Sequence, residues 1–165
     1  MSAQSETADL SFRLAIEADA EILLEFMREY YAFDGHSFDP ENTPAALLKL
    51  LRNPSFGRVW LIFDGKTPVG YVVLCFGYSL EFLGRDAFVD EFYLRENYRG
   101  RGWGARAMRF VEEVANDLEI KSLHLEVTRQ NVKAKAFYQK LGFQDRAHHL
   151  MTKSIACGRS EPVPG

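Results

Sequence analysis

Hydrophobic side chains recur along the chain with two different spacings, and these spacings predict its helices and strands. Four segments carry apolar residues three and four positions apart, which is typical of amphipathic helices. Shorter segments alternate or run continuously apolar, which is typical of strands. The predicted helices are residues 17–33, 43–53, 102–118 and 131–143. The predicted strands are residues 10–16, 58–64, 68–79, 87–94, 122–128 and 148–155.

The order of these segments predicts a mixed α/β fold. In the first half the strands mostly follow one another, which favours hairpins, whereas residues 88–128 form a strand–helix–strand unit. Such a unit joins parallel neighbours by a right-handed crossover. We therefore expect a single domain over residues 10–155, with a central, mostly antiparallel sheet, one parallel strand pair and helices on both faces. Residues 1–9 and 156–165 are predicted to be flexible ends.

Composition excludes several classes of protein but does not indicate which reaction or ligand the chain has. The chain has 165 residues and a net charge of −3, whereas general nucleic-acid binders are usually basic. Cys75 and Cys157 lie far apart and indicate neither a disulfide framework nor a metal site. The first residues contain no apolar secretory core, and no apolar run is long enough to span a bilayer. We expect a cytoplasmic protein that binds no metal, membrane or nucleic acid.

A segment rich in glycine and arginine, between a predicted strand and a predicted helix, carries the strongest chemical signal. In "YRGRGWGA", Gly100, Gly102 and Gly104 remove side chains where the helix begins. A helix amino terminus offers unpaired N–H groups and the positive end of its dipole, and glycine lets an anion approach that backbone closely. Arginines beside the glycines add positive charge. The segment predicts a cradle for a small anion such as a pyrophosphate.

Two kinds of protein use such a cradle, and one of them binds dinucleotides. The letters "GRGWGA" fit the fingerprint G-x-G-x-x-A, and Glu126 lies at about the required distance from it. This nicotinamide-binding interpretation is less favoured, because "RENYR" separates the glycines from the strand and the flanks are dense in arginine. Too little chain follows Glu126 to complete a doubly wound sheet.

The other kind of protein matches at two separate motifs. "RGRGWG" fits the pattern [Q/R]-x-x-G-x-[G/A] and resembles the coenzyme A pyrophosphate loop of the Gcn5-related N-acetyltransferases (GNAT). "NVKAKAFYQKLGF" is similar to the N-x-x-A-x-x-F-Y-x-x-x-G-F segment of the same family. The order of helices and strands fits this family from about Leu10 to Ile155. Its members are often dimers, so the resemblance leaves a homodimer open.

The resemblance implies that acetyl-CoA is the acyl donor. Backbone N–H groups from Arg99 to Ala105 would hold its pyrophosphate, and two splayed parallel strands would admit the pantetheine arm, which pairs with backbone groups like an added strand. Asn131 would contact the donor near the thioester, in addition to capping a helix. The implied cofactor-binding residues are Phe92, Tyr93, Leu94, Arg99, Gly100, Arg101, Gly102, Trp103, Gly104, Ala105 and Asn131.

Acyl transfer to an amine sets two proton requirements. The attacking amine must be neutral, although an alkylamine with a pKa near that of lysine, ~10.4, is mostly protonated at neutral pH. Asp90 and Glu91 are the candidate catalytic carboxylates, because acids in an apolar strand are costly unless used or paired. Strand alternation places them on opposite faces unless a bulge intervenes. The resemblance places Tyr138 as the acid that protonates the leaving thiolate, and a packing role is its alternative.

The acceptor is predicted from the end of the first helix and the loop after it. Tyr30, Tyr31 and Asp34 supply aromatic faces and a carboxylate that suit a cationic amine, although a solvated acidic loop explains them equally well. "AFVDEFYLRENYRGRGWG" is also similar to the corresponding segment of spermidine/spermine N-acetyltransferases. We therefore expect a small diamine or polyamine-like acceptor. An acetyltransferase acting on a protein or amino-acid amine, and a noncatalytic acyl-CoA-binding relative, remain as alternatives.

Overall fold

The structure, a computed structural model, describes residues 10–146 and 148–155. The chain forms two compact units, of which the first ends at Thr128 and the second begins at Arg129. The predictions for residues 1–9 and 156–165 lie outside the described residues. The prediction that residues 10–155 form one domain stays a prediction.

The first unit contains most of the secondary structure. Its helices are α1 (Ala20–Asp34), α2 (Asn42–Arg52) and α3 (Trp103–Asp117), and short 3-10 helices cover Glu17–Asp19 and Glu96–Tyr98. Its strands are β1 (Leu10–Leu14), β2 (Gly57–Asp64), β3 (Thr67–Ser79), β4 (Gly84–Leu94) and β5 (Ser122–His124). Each of these α-helices and strands overlaps a predicted element, so the periodic pattern located them correctly.

Within the described part of the chain, the five strands form one sheet in the order β1-β2-β3-β4-β5. The first four are antiparallel neighbours, and β4 pairs in parallel with β5 through Asp86–Phe88 and Ser122–His124. The crossover from β4 to β5 contains α3, as the strand–helix–strand pattern predicts. The predicted mixed, mostly antiparallel sheet with one parallel pair is confirmed.

Helices cover both faces of this sheet because its central strands alternate apolar side chains between two cores. Leu61 packs with Leu23 and Phe26 of α1, whereas its neighbour Ile62 packs with Trp103 and Ala107 of α3. Successive strand residues point to opposite faces, so α1 and α3 lie on opposite sides. The first of these cores also contains Leu47 of α2, and it is the side on which the candidate site lies.

A β-bulge in β4 shapes the site. Glu91 lies opposite Val73 and Val89 lies opposite Leu74, so Asp90 is an extra residue with no partner in β3. A bulge bends its strand and increases the local twist. The parallel ladder with β5 ends at Phe88 and His124, just before the bulge, while β4 continues to Leu94.

One predicted strand is too long, and another is wrong. Residues 125–128 extend beyond β5 without strand structure, and residues 148–155 form no strand in the described part of the chain. Alternating side chains make a strand only where a neighbouring strand completes the backbone hydrogen bonds. Because β4 bends at its bulge, β5 keeps only three paired residues.

Among residues 10–146 and 148–155, no helix has both the length and the apolar character to cross a membrane.

The second unit contains α4 (Val132–Lys140). Asn131 caps its start, because its side-chain oxygen accepts a hydrogen bond of 3.0 Å from the N–H of Ala134. Gly142 follows its end with a φ of +92°, a conformation that glycine adopts without strain. The cap at Asn131 agrees with the sequence-based expectation for this helix.

Candidate functional site

The loop between β4 and α3 has the backbone geometry of an anion cradle. Gly100 and Gly102 have φ values of +74° and +77°, and a Cβ atom built on either would meet no atom within 4 Å. Gly102 is the amino-terminal cap of α3, and its carbonyl accepts from Arg106 at 3.1 Å. The N–H groups of residues 103–105 precede this first helical bond and have no acceptor within the helix. Among the described residues, the turn thus leaves space beside Gly100 and Gly102, next to a helix start whose first N–H groups have no intrahelical acceptor.

The arginines of the loop have different roles. Arg99 turns back toward β4, where its Nε donates to the carbonyl of Leu94 at 2.7 Å, and its guanidinium lies 4.4 Å from the ring centre of Phe33. Arg101 is exposed at the rim, 6.0 Å from the ring centre of Tyr98. Arg99 thus stabilises the loop by binding the end of β4. Arg101 is the loop arginine whose exposed side chain can reach a bound anion.

Trp103 supports the loop through packing. Its side chain is 3% exposed, and its ring stacks on Tyr98 with the ring centres 5.2 Å apart. The predicted contribution of Trp103 to the cradle therefore comes from its backbone N–H at the start of α3 rather than from its indole. Gly104 and Ala105 occupy the next two positions of the same turn.

An ion-pair clamp, which sequence reasoning missed, fixes the end of β4 to α1. Arg95 pairs with Glu25 and with Glu29, the latter at 2.8 Å, and Tyr93 donates its hydroxyl to Glu29 at 2.9 Å. The hydrogen bonds from Arg95 lower the pKa of Glu29. Glu25 and Glu29 lie four residues apart on one helix face, and this spacing was the available signal. The clamp holds the strand immediately before the loop.

Among the described residues, no strand pairs with the β5-side edge of β4 beyond Phe88. Arg95 donates its N–H to Val69 in β3 at 2.9 Å, so alternation directs the backbone groups of Tyr93 toward β3 as well. Those of Phe92 and Leu94 face the opposite edge, where Arg99 already occupies the Leu94 carbonyl. The groups left for an added strand are both backbone groups of Phe92 and the N–H of Leu94. Tyr93, predicted with them, faces the wrong way for backbone pairing.

Glu91 is held by two tyrosines. Its carboxylate accepts hydrogen bonds of 2.6 Å from the hydroxyl of Tyr31 in α1 and from that of Tyr71 in β3, one on each oxygen. Burial raises the pKa of Glu91 above its usual 4.5, and the two tyrosine hydrogen bonds oppose that rise. Burial, with the nearby Glu91 charge, also raises the pKa of both tyrosines, which therefore remain protonated donors.

Asp90 lies next to Glu91 but in a different environment. It is exposed, whereas Glu91 is half-buried. Burial first, and then the Asp90 charge, raises the pKa of the Cys75 thiol to about 12, so this cysteine remains a protonated, unreactive thiol. Cys75 is half-buried rather than fully buried as its apolar neighbours suggest.

Both acids line one cavity of about 310 Å³ between α1, α2 and the sheet. Strand alternation alone would point them to opposite faces, and the bulge at Asp90 removes that alternation. Both carboxylates, and not only one of them, therefore face the cleft. Most of the remaining wall is hydrocarbon, contributed by Leu23, Met27, Ala46, Leu47, Leu50, Val59 and Val73.

The predicted acceptor residues divide into one that reaches this cavity and two that do not. Tyr31 lines it. Tyr30 instead packs on Tyr93, with the ring centres 6.0 Å apart, and Asp34 pairs with His36 at 2.9 Å. Tyr71, which sequence reasoning did not single out, lines the cavity and binds Glu91. Its burial in a continuous apolar strand gave no sign of a polar role.

The two predicted site residues of the second unit lie on or beside α4. Asn131 acts as its cap, as described above. Tyr138 packs against Phe137 and Phe143, with ring centres 5.0 and 5.7 Å away, and burial raises the pKa of its hydroxyl to about 12. Tyr138 therefore carries its proton at neutral pH, as an acid must.

The pKa shift of Glu91 predicts how stability depends on pH. The folded protein favours protonated Glu91, so its contribution to the free energy of unfolding is greatest below pH 4.5 and is lost as the pH rises through the raised folded pKa. Chemical denaturation from pH 4 upward should show wild type losing stability relative to Glu91→Gln. Glu112→Gln, on the exposed side of α3, controls for the loss of one surface charge. A constant difference between wild type and Glu91→Gln would contradict the shift.

The sequence is similar to one family of proteins and to several curated relatives. The family model described as acetyltransferase (GNAT) family matches residues 20–143. Thialysine N-epsilon-acetyltransferase of Bos taurus is 37% identical over 82 residues, which cover 50% of this chain and 48% of that protein. Spermine/spermidine N(1)-acetyltransferase of Bacillus subtilis is 29% identical over 58 residues, covering 34% of this chain and 38% of that protein. The matched segments thus span about half or less of these curated relatives.

Solved structures agree over a larger part of the chain. An integron cassette protein from the mobile metagenome of Cole Harbour Salt Marsh has a TM-score of 0.78 and 34% identity, covering 88% of this chain and 91% of that one. A predicted acetyltransferase from Clostridium acetobutylicum, solved with acetyl-CoA, has a TM-score of 0.72 and 16% identity, covering 87% of this chain and 96% of that one. At that identity the second likeness shows the fold alone.

Proposed function

The chain belongs to the acetyltransferase (GNAT) family, and from this premise we propose that it transfers the acetyl group of acetyl-CoA to the primary amine of a small cationic acceptor. The observation that carries the proposal is the continuity of β4. Asp90 and Glu91 line the cavity, the next residue, Phe92, begins the open edge, and the strand leads into the glycine loop. An acceptor site and a donor site therefore adjoin along one strand.

The residues of the donor site fit coenzyme A. The left-handed Gly100 and Gly102, with open space where a Cβ would lie, suit a pyrophosphate close to the backbone. The N–H groups of residues 103–105 and the side chain of Arg101 would bind its charge. Phe92 and Leu94 would pair with the amide groups of the pantetheine arm. When bound, acetyl-CoA supplies an activated thioester.

The acid pair of the cavity suits an ammonium acceptor. Asp90 would take the proton of the amine, directly or through water, and Glu91 would add negative charge that is fixed by Tyr31 and Tyr71. Tyr138 would protonate the departing thiolate, since a tyrosine that stays protonated at neutral pH can act as the acid. Two neighbouring carboxylates favour a cationic amine, and within that class we propose a diamine or polyamine-like acceptor. The similarity to a protein named spermine/spermidine N(1)-acetyltransferase supports an acceptor of this kind.

A thiol-release assay with acetyl-CoA and a panel of amines tests the proposal. The panel contains linear diamines, polyamines, amino acids with a side-chain amine, a lysine-containing peptide and a neutral aromatic amine. We expect turnover of the small cationic amines that falls with rising salt, because exposed charge pairs are screened. If acetyl-CoA binds tightly but no amine of the panel causes thiol release, the protein is a noncatalytic acyl-CoA-binding protein. A strong preference for the neutral aromatic amine would overturn the cationic acceptor.

Gly102→Ala should weaken acetyl-CoA binding at least about tenfold, or 1.4 kcal/mol. A Cβ at this position would occupy the open space beside the proposed pyrophosphate site, and the left-handed backbone costs a non-glycine residue about 1–2 kcal/mol. Gly65→Ala is the matched control, since Gly65 has a φ of +56°, no atom within 4 Å of its Cβ position, and lies in the β2–β3 turn. Isothermal titration calorimetry compares the two. Equal acetyl-CoA affinity in both folded variants would contradict the cradle.

A further inference from the structure

The cavity has one charged end and a hydrocarbon wall. Asp90 and Glu91 bring negative charge to a single region of β4. Away from them the wall is formed mainly by apolar side chains, among them Met27, Ala46 and Leu50. A molecule that fills the cavity therefore contacts carboxylates at one end and methyl and methylene groups along its length.

The tyrosine hydroxyls do not add a second site for a cation. Those of Tyr31 and Tyr71 already donate to the two oxygens of Glu91 at 2.6 Å each. Two acids between the end of α1 and the start of α2 are also engaged elsewhere, since Asp34 pairs with His36 and Asp39 accepts from the N–H groups of Glu41 and Asn42. The third, Glu41, does not line the cavity. The polar residues left on the wall, Asn42 and Thr43, are uncharged.

A second positive charge close to the reacting amine would thus lie against hydrocarbon. Removing an ammonium from water without an acidic partner is costly, whereas burying a methylene there is favourable. The two effects act in the same direction at the same position of an acceptor. They distinguish amines that are alike in length and in the number of terminal amines.

We infer that the acceptor carries an uninterrupted hydrocarbon segment next to its reacting amine, so that linear diamines are preferred over polyamines with an internal secondary ammonium. This inference rests on the proposed acetyl transfer and narrows its substrate class. The reacting ammonium lies at Asp90 and Glu91, and the hydrocarbon lies between α1 and α2. A second terminal ammonium projects beyond the apolar wall into water.

Two amines of equal length test the inference. In bis(3-aminopropyl)amine a secondary ammonium replaces the central methylene of 1,7-diaminoheptane, and the two molecules are otherwise matched. We expect kcat/KM to be about 10²-fold higher for 1,7-diaminoheptane. Calorimetric titration of each amine into the protein gives a second comparison that requires no turnover. There we expect the same order of affinity.

A matched pair of variants locates the effect in the cavity. Ala45 and Ala46 are adjacent, exposed residues of α2, and Ala46 lines the cavity whereas Ala45 lies outside its wall. Ala46→Glu places a carboxylate against the hydrocarbon segment and should reduce the preference for 1,7-diaminoheptane about tenfold. Ala45→Glu adds the same charge to the same helix and should leave the preference unchanged.

The outcomes separate this inference from the proposed function. Equal or better use of bis(3-aminopropyl)amine by wild type would overturn the inference and leave acetyl transfer to amines standing. An unchanged preference in Ala46→Glu would show that the hydrocarbon does not lie in this cavity, which also overturns it. If no amine releases thiol, the proposed function fails, and the order of the two calorimetric affinities still decides whether the cavity prefers the uninterrupted diamine.

Discussion

Tyr138→Phe is expected to lower kcat by about 10²–10⁴-fold, the usual contribution of a positioned proton donor. The variant keeps the ring that packs between Phe137 and Phe143 and removes the hydroxyl, so fold and acetyl-CoA affinity should survive. We expect the change in kcat rather than in KM, because the thiolate of coenzyme A needs a proton only when it leaves during the chemical step. Single-turnover measurements establish that the chemical step is observed, and calorimetry establishes that acetyl-CoA still binds.

Tyr78→Phe is the matched control for this experiment. Tyr78 lies near the end of β3 with 76% of its side chain exposed, so losing its hydroxyl should change neither rate nor binding. A Tyr138→Phe protein that keeps full kcat while chemistry limits the rate would show that Tyr138 is a packing residue. Its place in "NVKAKAFYQKLGF" would then reflect the helix alone.

The helices of the first unit were predictable because their apolar side chains repeat where burial requires them. In α3 the buried Trp103, Ala107 and Val111 are each four residues apart, so the periodic stripe alone located the helix to within a residue at each end. The cradle was predictable for a similar reason. A left-handed backbone strongly favours glycine, and the glycines at positions 100 and 102 therefore mark the turn in the sequence itself.

The surroundings of Glu91 could not be predicted in this way. Tyr31 and Tyr71 lie 60 and 20 residues away along the chain, and only the packing of α1 and the register of β3 on β4 bring their hydroxyls to one carboxylate. The bulge has the same origin, because it is a property of a strand pair rather than of either strand. The sequence indicated a bulge only as an alternative, and that alternative decides where Asp90 points.

Local hydrogen bonds also changed the roles of acidic residues. The helix α2 begins at Asn42, and Asp39 accepts the N–H groups of Glu41 and Asn42 at 2.9 Å each. Asp39 thus shapes the turn before the helix and does not line the cavity. Acidic composition in a loop indicates a cation site poorly, since short acidic side chains readily bind their own backbone.

The two cavity acids should respond differently to removal of their charge. Asp90→Asn is expected to lower kcat/KM at neutral pH by about 10²-fold and to move the rising limb of its pH profile to higher pH. Without that carboxylate, bulk base must remove the proton of the amine. Glu91→Gln should have a smaller effect on the limb, because an amide of the same shape can accept from one tyrosine and donate to the other.

The pH profile separates proton transfer from simple charge attraction. Loss of attraction raises KM wherever the wild-type carboxylate is ionised and the amine is protonated, whereas loss of the proton acceptor also displaces the limb. Asp117→Asn, at the exposed end of α3, controls for the change in net charge. Because Asp90 is exposed while both oxygens of Glu91 are hydrogen-bonded, the geometry assigns the displaced limb to Asp90. A larger displacement in Glu91→Gln would reverse that assignment, and an unmoved limb in both variants would mean that another group takes the proton.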